Sequence, residues 1–147
     1  MSTKRSATIT LWLTRVMFFL VLLLLFTMPA FLRWYHSFRS LSPAAGMAIL
    51  VAFYLCAPGV LYALYSIGAL LRRILAGQVF VGANVSALRR LRWCCAWVCL
   101  VCLPAAFFYP PLCFMTMLMG FLALTVSVVK NVMAAAVELR EENDLTV

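Results

Sequence analysis

The residues from Leu91 to Val129 read LRWCCAWVCLVCLPAAFFYPPLCFMTMLMGFLALTVSVV, two apolar runs separated by Tyr109-Pro110-Pro111. Leu91–Phe108 and Leu112–Val129 each approach the roughly 17 to 20 apolar residues that a helix needs to cross hydrocarbon. Two consecutive prolines remove backbone donors and crowd the preceding turn. The stretch therefore predicts a tight helical hairpin. Working outward, Ala44–Leu71 is a third apolar run, longer than a perpendicular span requires, with Ala57-Pro58-Gly59 near its middle. It must tilt, kink or protrude. A fourth run, VMFFLVLLLLFTMPAFL from Val16 to Leu32, is bounded by Arg15 and Arg33, whose long stems can reach headgroups from inside the hydrocarbon edge. Pro29 and Pro104 suggest weaker bends in the first and third helices. The fold class expected is all-α: an integral membrane four-helix bundle of two helical hairpins. Its helices fall at about 8–33, 44–71, 91–109 and 112–139, with a cytoplasmic loop at 72–90 and an acidic tail at 138–147, all in one domain, 1–147.

Composition demands the same class. The chain is 67% hydrophobic and 11% charged, with a mean hydropathy of +1.07, whereas soluble domains are roughly half apolar and about a quarter charged. Lys4 and Arg5 before a leucine run imitate a signal peptide, but no A-x-A site follows, and Pro29 and Phe31 stand where small residues are wanted. The first run is expected to remain as a helix. The net charge of +8 is distributed between the apolar runs, which points to anionic lipid headgroups as partners and not to direct contact with nucleic acid.

Counting Lys and Arg on alternate sides gives the orientation. Lys4, Arg5, Arg15, Arg72, Arg73, Arg89, Arg90, Arg92, Lys130 and Arg140 share one side, and only Arg33 and Arg39 the other. Both termini are expected to be cytoplasmic. Trp12 and Trp93 then fall in the inner aromatic belt, and Trp34, Tyr35 and Tyr109 in the outer one.

Small residues mark helix contacts, because close backbone approach drives association in lipid. Such stripes are Ala44, Ala48, Ala52, Cys56, Gly59 and Ala63; Cys95, Cys99, Cys102 and Ala106; and Thr116, Gly120, Ala123, Ser127 and Asn131. The cysteines raise a chemical question, since thiolates select Cu(I) or zinc. Cys95, Cys99 and Cys102 are the candidate metal ligands. An apolar interior opposes thiolate formation, and the same residues serve as a packing seam without metal. No cofactor is expected.

Enzymatic readings lack parts. His36 is the single histidine and no carboxylate falls in any apolar run, so there is no His–carboxylate pair and no H-E-x-x-H site. Proton-coupled transport usually shows an ionisable group at membrane depth, and nucleotide hydrolysis a glycine-rich phosphate loop. Neither pattern is found in the sequence. A transporter or channel subunit would use the Thr116, Ser127, Lys130 and Asn131 face, lined up in an oligomer.

All four acidic residues, Glu138, Glu141, Glu142 and Asp144, lie near the C-terminus. On a helix end they oppose the dipole by a few tenths of a kcal/mol each, so another interaction is needed to favour them. One arrangement folds the tail back on Arg72, Arg73, Arg89, Arg90 and Arg92, with Phe80 and Leu145 in apolar contact beneath. It requires a carboxylate within roughly 4 Å of a loop arginine. The other leaves the tail solvated and the arginines on anionic lipid.

Gly77-x-Val79-Phe80, Asn84-Val85, Leu88-Arg89 and the closing Glu142-Asn143-Asp144-Leu145-Thr146-Val147 resemble the YoaS-like family of small bacterial multi-pass membrane proteins, a family of unknown function, over nearly the whole chain. Members carry Ser or Thr after the Phe and Glu before the Asn. Val81 and Ala83 stand there instead, leaving Gly82 or Asn84 to cap the next helix. The resemblance implies a bacterial inner-membrane location and a helix-turn-helix regulator as a partner. The function expected is non-enzymatic, with the cytoplasmic loop and tail as an interaction surface built from Arg72, Arg73, Phe80, Asn84, Arg89, Arg90, Arg92, Glu138, Glu141, Glu142, Asp144 and Leu145. A transporter subunit and a thiol metal binder are the alternatives.

Overall fold

The computed structural model describes residues 3–38, 40, 42–79 and 81–146, which form four α-helices and no strand among the described residues. α1 spans Thr3–Phe38, α2 Pro43–Leu75, α3 Gly82–Ala105 and α4 Pro111–Leu145. The helices pack in chain order, α1 on α2, α2 on α3 and α3 on α4, and Met119 of α4 reaches the apolar cluster that Cys56 and Val60 of α2 form with α3. Each neighbour runs antiparallel. Tyr54 reaches Leu25, Arg73 reaches Ala83, Cys56 faces Cys102 and Cys99 reaches Thr116. One end of the array therefore carries the α2–α3 corner with Arg15, Arg72, Arg73, Arg89, Arg90 and Arg92. The other carries the two hairpin turns, where the Tyr35 and Tyr109 hydroxyls lie 3.4 Å apart.

Three helices, α1, α2 and α4, are long and apolar enough to cross a membrane. The expected all-α class of four helices is what the structure holds, and α3 differs from the other three in composition. Its first part holds Arg89, Arg90 and Arg92, and Pro104 lies inside its last turn, leaving Trp93–Ala105 as its uninterrupted apolar stretch. Protein flanks α3 on two sides. Ala87, Leu88, Cys94, Val98, Cys102 and Ala105 are buried at the spacings that keep a helix face in register, and Cys56 of α2 completes the core with Val98 and Cys102. Toward α4, Cys99 donates to the Thr116 carbonyl at 3.5 Å, and a Cβ at Gly120 would lie 3.6 Å from its sulfur. The cysteine seam thus divides between two neighbours.

The expected loop 72–90 contracts to residues 76–81, because both flanking helices run into it. α2 closes with Gly77 at φ +80. Gly77 N donates to the Ile74 carbonyl and Gln78 N to that of Arg73, the paired bonds of a Schellman stop that favours glycine in the left-handed region. At its start α2 has Ser42, whose Oγ accepts from Ala45 N at 3.2 Å, followed by Pro43. α1 and α4 also outrun the expected 8–33 and 112–139.

Pro29, Pro58 and Pro104 lie inside helices, and beside the first two the neighbouring helix supplies a donor. Pro29 cannot donate to the Leu25 carbonyl, and the Tyr54 hydroxyl of α2 donates to that oxygen at 3.0 Å. Pro58 cannot donate to the Tyr54 carbonyl and crowds the same turn; Trp97 Nε1 of α3 donates to the adjacent Leu55 carbonyl at 3.0 Å. Gly59 admits the indole, since a Cβ there would approach Trp97 Cδ1 to 3.2 Å. In apolar surroundings an unmatched carbonyl costs several kcal/mol, so the Tyr54 hydroxyl satisfies the carbonyl that Pro29 leaves open, and both donors fix which helix lies against the proline-disturbed turn.

Candidate interaction surface at the arginine end

At the α2–α3 corner the structure brings Arg73, Gly77 and Asn84 into one construction. Arg73 is half-buried and its guanidinium donates to the Ala83 carbonyl at 3.2 Å. Asn84 is fully buried, and its side-chain amide donates to the Gln78 and Val79 carbonyls, both at 2.8 Å. Two carbonyl acceptors fix which end of the amide is nitrogen. Asn84 thus ties the turn together from inside and is removed from the accessible surface. It is not the helix cap either. Val81 occupies that position without a side-chain bond, and Asn84 N donates to the Val81 carbonyl at 2.8 Å. The Gly77 and Asn84 signature is the geometry of a corner.

Arg72, Arg89 and Arg90 are exposed. Arg72 is oriented by a bond from Nε to the Gly68 carbonyl at 3.2 Å. Arg92 is half-buried with its guanidinium 5.4 Å from the Trp93 ring centroid, close enough for a cation–π contact. Phe80 lies outside the described residues.

The acidic segment departs from the fold-back arrangement. α4 continues without a break to Leu145, and Glu138, Glu141, Glu142, Asp144 and Leu145 are all exposed. Among the described residues none of these carboxylates forms an ion pair with the corner arginines. The reason is local. Ala134, Ala135, Ala136, Leu139 and Arg140 are strong helix formers, and their summed propensity exceeds a dipole penalty of a few tenths of a kcal/mol per acid. Rising 1.5 Å per residue, the helix carries Glu141 roughly 10 Å beyond the level at which α3 begins. The carboxylates project past the arginines instead of returning to them.

The candidate metal ligands are not gathered. Cys102 faces Cys56, with sulfurs 4.0 Å apart, Cys99 faces α4, and no group of three His, Cys, Asp or Glu side chains converges among the described residues. On the proposed polar face of α4, the Thr116 and Ser127 hydroxyls donate to their own helix, at the Leu112 and Ala123 carbonyls. Thr116 is buried while Asn131 is exposed.

A feature that sequence reasoning passed over is a groove between α1 and α2, where Arg15 and Arg72 line one recess of about 160 Å³. Arg15 reads in sequence as a boundary residue, and the pairing emerges only from helix register. No curated protein and no solved structure matches the chain. A family model does match, over residues 4–147, so this array of apolar helices with an arginine-rich corner and a projecting acidic helix belongs to the family described as Protein of unknown function (DUF2975).

Proposed function

We propose that the chain is a non-enzymatic, multi-pass protein of a bacterial inner membrane, of the YoaS-like kind, with both termini and the α2–α3 corner in the cytoplasm. The basic-residue count supports that orientation, and the antiparallel order that collects the arginines at one end is consistent with it. The observation that carries the functional reading is the exposed end of α4. A helix of 35 residues is about 52 Å long against a hydrocarbon core of roughly 30 Å. Its last turns hold every acidic residue of the chain beside the exposed Leu139 and Leu145. Apolar anchors with flanking charge suit a helix laid into a partner's groove. A basic soluble protein, such as the helix-turn-helix regulator that the family resemblance suggests, has the complementary charge.

Two measurements test this. Reporter fusions after Leu145 and at Ser40 should report opposite compartments, the first cytoplasmic; a periplasmic signal after Leu145 overturns the reading. Affinity capture with the full chain and with a chain ended at Val137, followed by mass spectrometry, should yield a basic cytoplasmic protein only with the full chain. Equal recovery from both shows that α4 is not the contact.

A further inference from the structure

The groove between α1 and α2 is lined by Arg15 and Arg72 together with Phe18, Leu64, Tyr65 and Gly68. From these residues we infer that it is a binding site for the phosphate headgroup of an anionic phospholipid, whose acyl chains run along the exposed apolar face of α1. The inference rests on the membrane-spanning reading of the chain and is independent of any protein partner.

Charge is the first argument. All four acidic side chains lie on α4, whose packing partner is α3, and none of them lines the groove. Among the described residues no acidic side chain lines the groove to neutralise the two guanidinium groups, and charges close to hydrocarbon demand a counter-charge. Arg72 is already oriented by its Nε bond to the Gly68 carbonyl, so its two terminal nitrogens remain to grip a phosphate in the forked geometry that guanidinium favours. Arg15 approaches from the opposite helix.

Shape is the second. A Cβ on Gly68 would meet no atom within 4 Å, although Gly68 itself is buried between the helices. The missing side chain leaves the recess open. At about 160 Å³ it holds a headgroup's phosphate and not a whole lipid. Below it, Phe18 and Leu64 give an apolar wall, and exposed Phe19, Leu23 and Phe26 continue that surface along α1. A phosphate anchored above an apolar track matches a phospholipid better than a soluble phosphate.

Native mass spectrometry of protein purified in a nonionic detergent tests the site, with phosphatidylglycerol or phosphatidylcholine added at equal concentration. Retention of phosphatidylglycerol should exceed that of phosphatidylcholine by roughly tenfold or more, from two arginines at a membrane surface. The preference should vanish in an Arg15→Gln/Arg72→Gln variant. It should also fall in Gly68→Leu, which fills the recess with no change of charge. It should persist in Arg89→Gln/Arg90→Gln, which removes the same charge elsewhere. Equal loss in both double variants would show diffuse attraction and overturn the site, as would displacement of the lipid by glycerol phosphate or equal retention of both lipids. Failure of the membrane reading would appear separately, as protein recovered from the soluble fraction without detergent.

Discussion

Gly77 combines a φ of +80 with the two backbone bonds that end α2. An L side chain in that region costs about 1–2 kcal/mol, and the space around it is open, so the cost is conformational and not steric. Gly77→Ala is expected to destabilise the fold by about 1 kcal/mol, read as an earlier midpoint in a denaturing-detergent titration. Trp97 is a different kind of residue, a donor aimed at a proline-disturbed turn of another helix. Trp97→Phe keeps most of the ring and deletes the N–H. Hydrogen bonds between helices in membranes average about 0.6 kcal/mol and reach about 1.7, and the upper part of that range is expected here because Leu55 lies beside Pro58. The same titration checks it, with Trp93→Phe as the comparison, since Trp93 is largely exposed and should change little.

Among the elements, α3 is decisive because it packs on both α2 and α4 and carries the cysteine seam between them. Its register on α2 places Cys56 and Cys102 with sulfurs 4.0 Å apart, while Cys95 and Cys99 lie on other parts of its surface. A variant retaining only Cys56 and Cys102 is therefore expected to cross-link within one chain under copper–phenanthroline oxidation. Mass loss of two hydrogens and blocked thiol alkylation would record it. A variant retaining only Cys56 and Cys95 should remain fully alkylatable, and the reverse pattern would move the α2–α3 register. α4 is an element with two lives. Thr116 and Gly120 pack against Cys99 of α3, whereas residues 138–146 are exposed, so helix propensity extends the last turns.

Across the whole molecule, sequential packing leaves α1 held by α2 and by the Tyr35–Tyr109 contact, whereas α3 is enclosed. The most apolar window of α1 has no buried residue. Stability is then uneven, lowest where few contacts protect an element. Limited proteolysis in detergent is expected to cut first at the α1–α2 connection around Ser40 and to leave a folded fragment from α2 to α4. Initial cleavage at the α2–α3 corner would contradict this order, since Asn84 and Arg73 brace that turn with three side-chain bonds.

Sequence by itself determined the helices and their order. Apolar runs of spanning length, prolines at the hairpin, small-residue stripes and lopsided arginines are local quantities, and local quantities survive without knowledge of neighbours. The positions of Gly77 and Asn84 were legible as a motif, although their roles as a helix stop and an internal tie were not. Tertiary structure alone decided what depends on register between distant segments. It showed Tyr54 at Leu25 beside Pro29, Trp97 at Leu55 beside Pro58, Cys56 against Cys102, and Arg15 with Arg72 around the space left by Gly68. It also decided against the folded-back tail. Charge complementarity in sequence is blind to distance, whereas a rigid helix rising 1.5 Å per residue carries the carboxylates out of the arginines' reach.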